Sequence, residues 1–434
     1  MEKLKLVNIN KSYQAETQYY HVLKKISLGF RDRELVTILG PSGTGKTTLV
    51  NIIGGLDQYD SGDLLVCGQS TKHFRHQAWD AYRHRMIGFV RQNEQLLMHQ
   101  SVLENVELAM VLSRETRTER TKRAEQALVQ VGLEKEIDLM PKHLTKVQVQ
   151  QVAIARAIVN DPAIIVADEP TGVLDSDASN QIMALLRDLA ETRLIIVATH
   201  DQVIAKNYST RIISLIDGKV QSDSHPLTDQ VESTCPEPLK SQIANKPSLS
   251  IFMAAVLASK HLLAQKWLTL ILMVIGSLGV FSLALAFALF GLFTNVIEPN
   301  QAPNSLLILG FALLTFMMTM IMLGGKIYLS VIERRKEVVI LYSIGARRRD
   351  ISRLFIIETF IVAVVISLLG LVMTDSIIFQ LNQIARPIIQ YIEPLNLSAV
   401  AILGSVMIVV MLMIGIIPAR KAARKAPALT LRMK

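Results

Sequence analysis

Residues 40–47 read Gly-Pro-Ser-Gly-Thr-Gly-Lys-Thr, a glycine-rich stretch that decides the fold of the first half of the chain. The apolar run 35–39 before it predicts a buried strand, and the spacing of apolar residues over 48–53 predicts a helix. A strand, a glycine-rich loop and a helix in this order form a phosphate-binding loop. A flexible glycine-rich turn is the alternative interpretation, which the spacing and the flanking segments disfavour.

The loop has the residue types that hold a nucleoside triphosphate. Glycines let backbone N–H groups and the positive end of a helix approach an anion closely. Lys46 is predicted to reach the β- and γ-phosphates, and the Thr47 hydroxyl is predicted to ligate Mg²⁺. The predicted nucleotide-binding residues of this stretch are Gly40, Ser42, Gly43, Thr44, Gly45, Lys46, Thr47 and Thr48.

Two further apolar strands are predicted at 164–167 and 194–198, and polar residues follow each of them. Asp168 follows the first strand, where its carboxylate can hold Mg²⁺, and Glu169 can orient or deprotonate an attacking water. His200 comes after the second strand and is predicted to contact the γ-phosphate. These residues predict ATP hydrolysis with Mg²⁺ as the cofactor.

Taken together, these motifs resemble those of the ABC superfamily, and the whole chain resembles a fused ATP-binding and permease subunit of its MacB-like, FtsX-type permease group. Segment 87–92 resembles the Q-loop, 152–157 the helix behind the signature motif, 168–172 the Walker B motif and 174–175 the D-loop. The resemblance implies an α/β P-loop nucleotide-binding domain with a RecA-like core, an antiparallel β subdomain and a helical subdomain.

The resemblance also implies roles for single residues. Tyr13 is expected to stack on adenine, and Gln92 to sense Mg²⁺ and couple the nucleotide site to the membrane part. Glu169 is the implied catalytic carboxylate, His200 the switch histidine and Asp175 the D-loop aspartate. The implied metal ligands are Thr47, Gln92 and Asp168.

The signature motif departs from the family pattern. Where the family has L-S-G-G-Q, residues 144–148 read Leu-Thr-Lys-Val-Gln, so both glycines are replaced. In ABC dimers this segment caps the γ-phosphate that the partner's Walker A motif holds. Glycine permits close approach and backbone conformations that side chains hinder, so Lys146 and Val147 are expected to obstruct or reshape this contact. Thr145 keeps a hydroxyl group, and Gln148 matches the family residue.

Two assemblies follow from this departure. In a homodimer both composite sites carry the altered signature, and hydrolysis is expected to be slow or absent. In a heterodimer a second ABC half-transporter supplies an intact signature to this chain's Walker motifs, which gives one active site. The retained Walker and switch residues favour the heterodimer. In a further interpretation, the ammonium of Lys146 replaces the lost N–H contacts.

The composition divides the chain into a soluble part and a membrane part. Of the 434 residues, 50% are hydrophobic. Residues 1–222 are predicted to form the ABC nucleotide-binding domain, 223–248 a polar linker, and 249–434 an FtsX-like permease domain. Four runs in this last domain are long and apolar enough to cross a bilayer, which predicts an all-α four-span domain. The predicted spans are about 267–293, 306–329, 354–374 and 397–417, after an interfacial helix at about 249–265.

Basic residues orient the predicted spans. The connector 331–353 and the segment after Pro418 are rich in Lys and Arg, whereas the connector 294–304 contains neither. The positive-inside rule then places both termini and the ATP-binding domain on the cytoplasmic side of a multi-pass inner-membrane protein. The net charge of +9 suits the anionic headgroups of the lipid bilayer, so we expect no nucleic-acid partner.

The basic connector includes residues 333–347, which resemble the cytoplasmic connector of FtsX-type permeases. In that family the connector contains a short helix that docks near the Q-loop. Val338 and Leu341 are predicted to form the docking face, and Gly345 is predicted to end the helix in a left-handed conformation. A solvated run of charges is the alternative interpretation.

Cysteine usage indicates neither a metal site nor a disulfide framework. The two cysteines, Cys67 and Cys235, lie in no spacing typical of metal or redox motifs. Both precede the first predicted span, on the reducing side of the membrane, so we expect free thiols.

These features predict an ABC-type ATPase that drives export or extrusion of an amphipathic or hydrophobic substrate, such as a peptide, an antibiotic or a lipid. The predicted spans contain few charges, which disfavours a strongly polar pathway. MacB-like proteins carry a large extracytoplasmic domain between the first two spans, and here about ten residues occupy that place. The alternatives are a mechanotransmitting subunit without cargo and a regulatory subunit that binds ATP without hydrolysing it.

Overall fold

The structure is a computed structural model that describes residues 2–15, 18–91, 96–113, 115–227, 248–296, 302–384, 402, 404–416 and 420. The chain divides into two compact units. The first includes Met1–Ser250 and Lys336–Arg348, and the second includes Ile251–Arg335 and Arg349–Arg424. The connector between the second and third predicted spans therefore belongs to the same compact unit as the phosphate-binding loop.

Two sheets form the framework of the first unit. One has six strands in the order β10-β9-β3-β8-β7-β6, and the other has four in the order β2-β1-β4-β5. The strands are β1 Glu2–Ala15, β2 Gln18–Arg31, β3 Glu34–Leu39, β4 Ser61–Val66, β5 Gln69–Ser70, β6 Ile87–Arg91, β7 Ile164–Asp168, β8 Leu194–Thr199, β9 Arg211–Ile216 and β10 Lys219–Asp223. The four-stranded sheet is antiparallel throughout.

The six-stranded sheet is parallel except at β10, which pairs antiparallel with β9. Strands β3, β7 and β8 are buried along almost their whole length, which accounts for continuous apolar runs instead of alternation. Leu39 pairs with Thr199, and Asp168 pairs with Ala198 on one side and Arg91 on the other. This register brings the residues that follow the strands to one edge of the sheet.

Helices pack against the sheet, and three of them form a helical layer that shares an apolar cluster with it. The helices up to residue 208 are α1 Lys46–Ile53, α2 His76–Met86, α3 Val102–Glu107, α4 Arg117–Gln130, α5 Lys146–Ile158, α6 Ser176–Ala190 and α7 Gln202–Tyr208, with short 3-10 helices at Leu108–Met110 and Pro141–His143. Helices α3, α4 and α5 form this helical layer, and their apolar cluster includes Val106, Leu128 and Ile154. Each of these three helices begins with a capping box, which fixes where it starts.

The second unit is helical wherever it is described. Its helices are α8 Ile251–Ala264, α9 Lys266–Val296, α10 Ala302–Glu333, α12 Arg348–Ile384 and α13 Gly404–Ile416, and the connector helix of the first unit is α11 Arg335–Ser343. Among the described residues, Lys266–Leu289 and Arg348–Gln383 are long and apolar enough to cross a membrane. Leu309–Gly325 and Gly404–Ile416 are apolar but shorter. Two described helices could therefore cross a membrane, while the count of four spans stays a prediction.

Some predicted segments fall outside the described residues. They include 228–247 of the linker, 385–401 before α13 and all but residue 420 of the basic segment after 416. The predicted boundaries of the linker and of the fourth span thus also remain predictions.

Small residues allow close packing within the second unit. A Cβ atom at Gly279 of α9 would lie 2.1 Å from Oγ1 of Thr319 in α10. One at Gly370 of α12 would lie 2.6 Å from Cβ of Val280 in α9. Close backbone approach through small residues is a main source of helix association in lipid, where burial of apolar surface gives little drive.

One ionisable cluster lies inside the second unit. An oxygen of Glu358 lies 3.1 Å from Nδ1 of His261, and the other oxygen accepts a hydrogen bond from Arg334. The side chains of Glu358, His261 and Arg334 are 13%, 5% and 5% exposed. A carboxylate packed among apolar helices requires such compensation of its charge.

Cys67 follows β4 and is disulfide-bonded in this structure. The expectation of a free thiol at this position is therefore wrong. Sequence spacing reveals metal and redox motifs, but it does not reveal which cysteines meet in space. Cys235 lies outside the described residues.

Candidate functional site

The phosphate-binding loop adopts a backbone that its glycines permit. Gly43 and Gly45 have φ angles of 86° and 99°, in the left-handed region that disfavours side chains. At Gly40 an added Cβ atom would lie 2.2 Å from the carbonyl oxygen of Leu215. A side chain at any of these three positions would strain or displace the loop.

Helix α1 begins at Lys46, directly after the loop. Its N-cap residue, Gly45, makes no side-chain capping bond, so the first N–H groups of the helix point towards a place where an anion can bind. The ammonium of Lys46 donates to the carbonyl oxygens of Gly40 and Pro41 at 2.7 and 2.8 Å. Because both acceptors belong to the loop, the positive charge of Lys46 is held next to the phosphate-binding loop.

Thr47 and Asp168 provide oxygen ligands on adjacent elements. The Thr47 hydroxyl at the start of α1 donates to Oδ1 of Asp168, at the end of β7, over 3.1 Å. Hydroxyl and carboxylate oxygens are ligands that Mg²⁺ prefers, so these two residues fit a magnesium ion. The third predicted ligand, Gln92, lies outside the described residues.

Glu169 and His200 form a pair beside the predicted metal ligands. Nδ1 of His200 lies 2.8 and 3.0 Å from the two carboxylate oxygens of Glu169. The backbone of Glu169 has a φ of 49°, a left-handed conformation that is uncommon for residues with side chains. Its N–H donates to the carbonyl of Ala198 at 2.8 Å, which holds this conformation. Strained backbone of this kind is concentrated at functional sites.

Tyr13 lies beside α1 through its hydroxyl group. Its Oη donates to Oδ2 of Asp57 at 2.6 Å and lies 3.5 Å from Oγ1 of Thr48. Burial, together with the bond to Asp57, raises the pKa of Tyr13, so the phenol stays protonated and acts as the donor. The ring is thus fixed next to the first turn of α1, and its predicted stacking on adenine stays a prediction.

The altered signature segment forms the N-terminus of α5. Thr145 is the N-cap: its hydroxyl accepts from the N–H of Gln148 at 3.3 Å, and Oε1 of Gln148 accepts from the N–H of Thr145 at 2.9 Å. Thr145 and Lys146 are exposed, and Val147 packs against the apolar cluster of the helical layer. None of the residues 145–148 has a positive φ. The two replacements therefore add side chains to an ordinary helix start and do not force an unusual backbone.

Asp175 also has a local structural role. It is the N-cap of α6, and its Oδ1 accepts from the N–H of Ala178 at 2.9 Å. Val173, two residues earlier, is 43% exposed. A single exposed apolar side chain of this kind is common on protein surfaces.

The connector contacts α2, and α2 also bonds the chain just after α1, within the first unit. Val338 and Leu341 of α11 are 1% and 4% exposed. Arg83 of α2 donates to the carbonyl of Tyr342 at 3.0 Å and to the carbonyl of Gly55, just after α1, at 2.8 Å. Its guanidinium carbon also lies 4.2 Å from the centre of the Tyr342 ring. One buried side chain thus joins the phosphate-binding helix to the connector.

The end of the connector helix closes on the same helix α2. Gly345 has a φ of 96°, and a Cβ atom there would lie 2.4 Å from the carbonyl oxygen of Asp80. Nδ1 of His84 lies 3.1 Å from the carbonyl oxygen of Ile344, which makes it the donor. Burial lowers the pKa of His84 to about 4, so this imidazole is neutral at physiological pH. Burial raises the pKa of Asp80, and its bond to Arg83 at 2.5 Å counters that shift.

The structure thus brings together the phosphate-binding loop, Asp168, Glu169, His200 and Tyr13 near one edge of the sheet. Residues 145–148 belong instead to the helical layer, where Nε2 of Gln148 donates to Glu136 at 3.1 Å. Sequence reasoning missed Arg83 and His84, because an Arg and a His in a charged helix are usually exposed. The clustering of apolar residues around them, Trp79 and Tyr82, was the available signal for burial.

Comparisons with known proteins agree with this arrangement. A family model described as ABC transporter matches residues 23–172. An uncharacterized ABC transporter ATP-binding protein, YknY of Bacillus subtilis (strain 168), is 43% identical over 218 residues, which are 50% of this chain and 94% of that protein. This chain belongs to the ABC transporter family.

Further comparisons place this ABC transporter chain in the MacB and FtsX group. A family model described as FtsX-like permease C-terminal matches residues 305–427. The macrolide export ATP-binding/permease protein MacB of Pectobacterium atrosepticum is 34% identical over 286 residues, or 64% of this chain and 44% of that protein. The chain thus spans less than half the length of this relative. A dimeric ATP-binding cassette with ADP and Pi is 38% identical and covers 51% of this chain and 97% of its own, with a TM-score of 0.48.

The chain is therefore a fused ATP-binding and permease ABC protein, with an ABC-type ATPase domain and a helical permease domain. The expected α/β P-loop fold of the first half is confirmed. Membership in this group implies ATP binding, with Mg²⁺ as the usual cofactor, a dimer of ATPase domains, and a place in the inner membrane.

Proposed function

We propose that this chain couples ATP binding and hydrolysis to export of an amphipathic or hydrophobic substrate across the inner membrane. The observation that carries the proposal is the junction at Arg83, whose guanidinium bonds the end of the phosphate-binding helix and the connector from the permease domain. A change in the position of α1 on nucleotide binding would be transmitted directly to the connector through these bonds. The resemblance to a macrolide export protein supports the export direction.

The edge of the six-stranded sheet next to the phosphate-binding loop is the nucleotide edge, and each predicted site residue there has a role in this proposal. Lys46 and the N-terminus of α1 bind the β- and γ-phosphates, and Tyr13 stacks on adenine. Thr47 and Asp168, with Gln92, hold Mg²⁺, which supplies positive charge to the phosphate oxygens when it is bound. Glu169 orients the attacking water and accepts its proton, and the bond from His200 fixes the position of that carboxylate.

The dimer in this proposal is asymmetric. Residues 145–148, with Asp175 of the D-loop, face the nucleotide that a partner's Walker A motif holds. Because Lys146 and Val147 put side chains where the family has glycine, the site that includes this segment binds ATP without efficient hydrolysis. A second ABC half-transporter with an intact signature completes the other site, which uses Glu169.

The permease domain in this proposal has four spans, with both termini and the ATPase domain in the cytoplasm. The docking face of Val338 and Leu341 and the left-handed Gly345 carry the motion of the ATPase domain to the spans. Apolar helices, with the charge of Glu358 compensated by His261 and Arg334, favour a substrate that enters from the lipid leaflet.

Reconstitution tests this function. The full chain would be placed in liposomes alone and with an ABC half-transporter that has an intact L-S-G-G-Q motif, and Mg-ATP-dependent movement of a fluorescent hydrophobic peptide would be measured. We expect movement with the pair, loss of movement in Glu169→Gln, and ATP hydrolysis without movement in Leu341→Asp. Hydrolysis by the wild-type pair without movement of any tested compound would contradict export and support a mechanotransmitting subunit.

A further inference from the structure

Arg91 lies next to the predicted magnesium site, within segment 87–92, whose resemblance to the Q-loop assigns it no role. It is the last residue of β6, which pairs in parallel with β7. In that register Arg91 is the direct neighbour of Asp168. Asp168 in turn accepts the hydrogen bond from Thr47. A guanidinium group and a predicted metal ligand therefore start from adjacent backbone positions.

The strand geometry places both side chains on the same face of the sheet. Side chains two residues apart in a strand point to one face. Phe89, two residues before Arg91, faces α1, because a Cβ atom at Gly54 would lie 2.0 Å from Cε2 of Phe89. Asp168 faces α1 as well, since it contacts Thr47 of that helix. Arg91 thus lies on the face of the sheet that carries the phosphate-binding helix.

The charges of the two groups interact. Burial lowers the pKa of Arg91, and the negative charge of Asp168 counters that shift. A guanidinium stays protonated in proteins at physiological pH, so Arg91 contributes one full positive charge beside Asp168.

We propose that Arg91 is a built-in counter-cation of the magnesium site, which partly replaces Mg²⁺ in holding ATP on this subunit. The inference rests on the proposed binding of ATP at this edge of the sheet. Without metal, the guanidinium neutralises Asp168 and adds positive charge on the side of the triphosphate. When bound, Mg²⁺ would bring a second positive charge to the surroundings of Asp168, so the gain in ATP affinity that Mg²⁺ provides is smaller than in a site without Arg91.

Binding of a fluorescent nucleotide tests this inference without any need for hydrolysis. The affinity of the full chain in lipid nanodiscs for trinitrophenyl-ATP would be measured in EDTA and over a series of Mg²⁺ concentrations. The variants are Arg91→Met, which removes the charge, and Arg91→Lys, which keeps it. The control is Arg117→Met, which removes an exposed charge of the helical layer.

We expect Arg91→Met to weaken nucleotide binding in EDTA by roughly tenfold, because it removes the attraction between the guanidinium and the negative triphosphate. The increase in nucleotide affinity that Mg²⁺ causes should become larger by a similar factor. Arg91→Lys keeps most of the wild-type behaviour, and Arg117→Met behaves as wild type. If Arg91→Met is not folded by circular dichroism, Arg91→Gln carries the same expectation.

An equal gain from Mg²⁺ in wild type and in the uncharged variant would overturn the inference while leaving the ATP site intact. Absence of nucleotide binding by the wild-type chain, with and without Mg²⁺, would contradict the proposed ATP site itself, and the inference with it. If Arg91→Met loses the same factor of nucleotide affinity in EDTA and in saturating Mg²⁺, the role of Arg91 is structural, and the inference is also overturned.

Discussion

The nucleotide edge of the sheet and the N-terminus of α5 are held in opposite ways. Helix α1 starts at the nucleotide edge, and Gly55, just after its other end, is tied to Tyr342 of the connector by the bonds from Arg83. At the start of α5, Thr145 and Gln148 bond to each other, and Thr145 and Lys146 are exposed. A change at the first region should spread through the first unit, whereas a change at the second should stay local until a partner covers it.

The largest expected effect is at the junction itself. Arg83→Met leaves Asp80 buried without its ion-pair partner, which should reduce the free energy of unfolding by about 3–5 kcal/mol. Chemical unfolding of the full chain would be followed by the fluorescence of Trp79, which packs on Tyr82 of the same helix, in a Trp267→Phe background. Arg85→Met on α2 is the control. An equal loss of unfolding free energy in Arg83→Met and Arg85→Met would contradict the stabilising role of Arg83 at this junction.

The next effect is a pH dependence of the same region. The pKa of His84 is about 4 in the folded chain, because of burial, against an ordinary value of 6.5. Below pH 6.5 the unfolded chain therefore binds a proton that the folded chain excludes. The free energy of unfolding should fall as the pH drops from about 6.5 to about 4, by up to about 3 kcal/mol.

His84→Gln should flatten this part of the stability profile, and His143→Gln, at an exposed position, should leave it unchanged. Stability measured by Trp79 fluorescence at several pH values makes the comparison. A profile that keeps its full slope in His84→Gln would show that another group causes the dependence.

A smaller effect concerns Lys46 of the phosphate-binding loop. Lys46→Ala should weaken binding of trinitrophenyl-ATP by about tenfold to hundredfold, since a hydrogen bond to a charged group contributes about 1.5–3 kcal/mol. Lys142→Ala, at an exposed position, provides the matched loss of charge. Unchanged affinity in Lys46→Ala would place the nucleotide elsewhere.

The smallest effect is at the start of α5. Thr145→Ala removes an N-cap and should reduce the free energy of unfolding by about 1 kcal/mol. Thr116→Ala breaks the same type of capping box in α4 and should cause a comparable loss. Neither variant should change nucleotide binding by the monomeric chain, because Thr145 is proposed to act on a partner's nucleotide. A selective loss of nucleotide affinity in Thr145→Ala would contradict the local character of this region.

The sequence predicts the nucleotide edge well because its chemistry is local. Contiguous residues form the loop and start α1, and each acidic or imidazole residue follows a strand whose apolar run is unmistakable. The left-handed conformation of Gly345 was also predicted, since a helix end that needs a left-handed residue favours glycine.

The junction was not predictable, because it depends on contacts between residues 83 and 342, which are far apart in the chain. A buried Arg has the same local pattern as an exposed one until the connector covers it. The expected obstruction of the contact by the side chains of Lys146 and Val147 stays a prediction. Helix α5 begins at Lys146, and none of the residues 145–148 has a positive φ, so any such obstruction would come from the side chains and not from a strained backbone.

The steady-state ATPase rate of the purified full chain in lipid, compared with the variant Lys146→Gly/Val147→Gly, tests the asymmetry most directly. We predict slow or no hydrolysis by the wild-type chain alone. The variant should gain about tenfold or more, because it removes the side chains that hinder the approach of backbone N–H groups to a γ-phosphate, and Glu169→Gln should abolish that gain. Vigorous hydrolysis by the wild-type chain alone that depends on Glu169 would contradict the account.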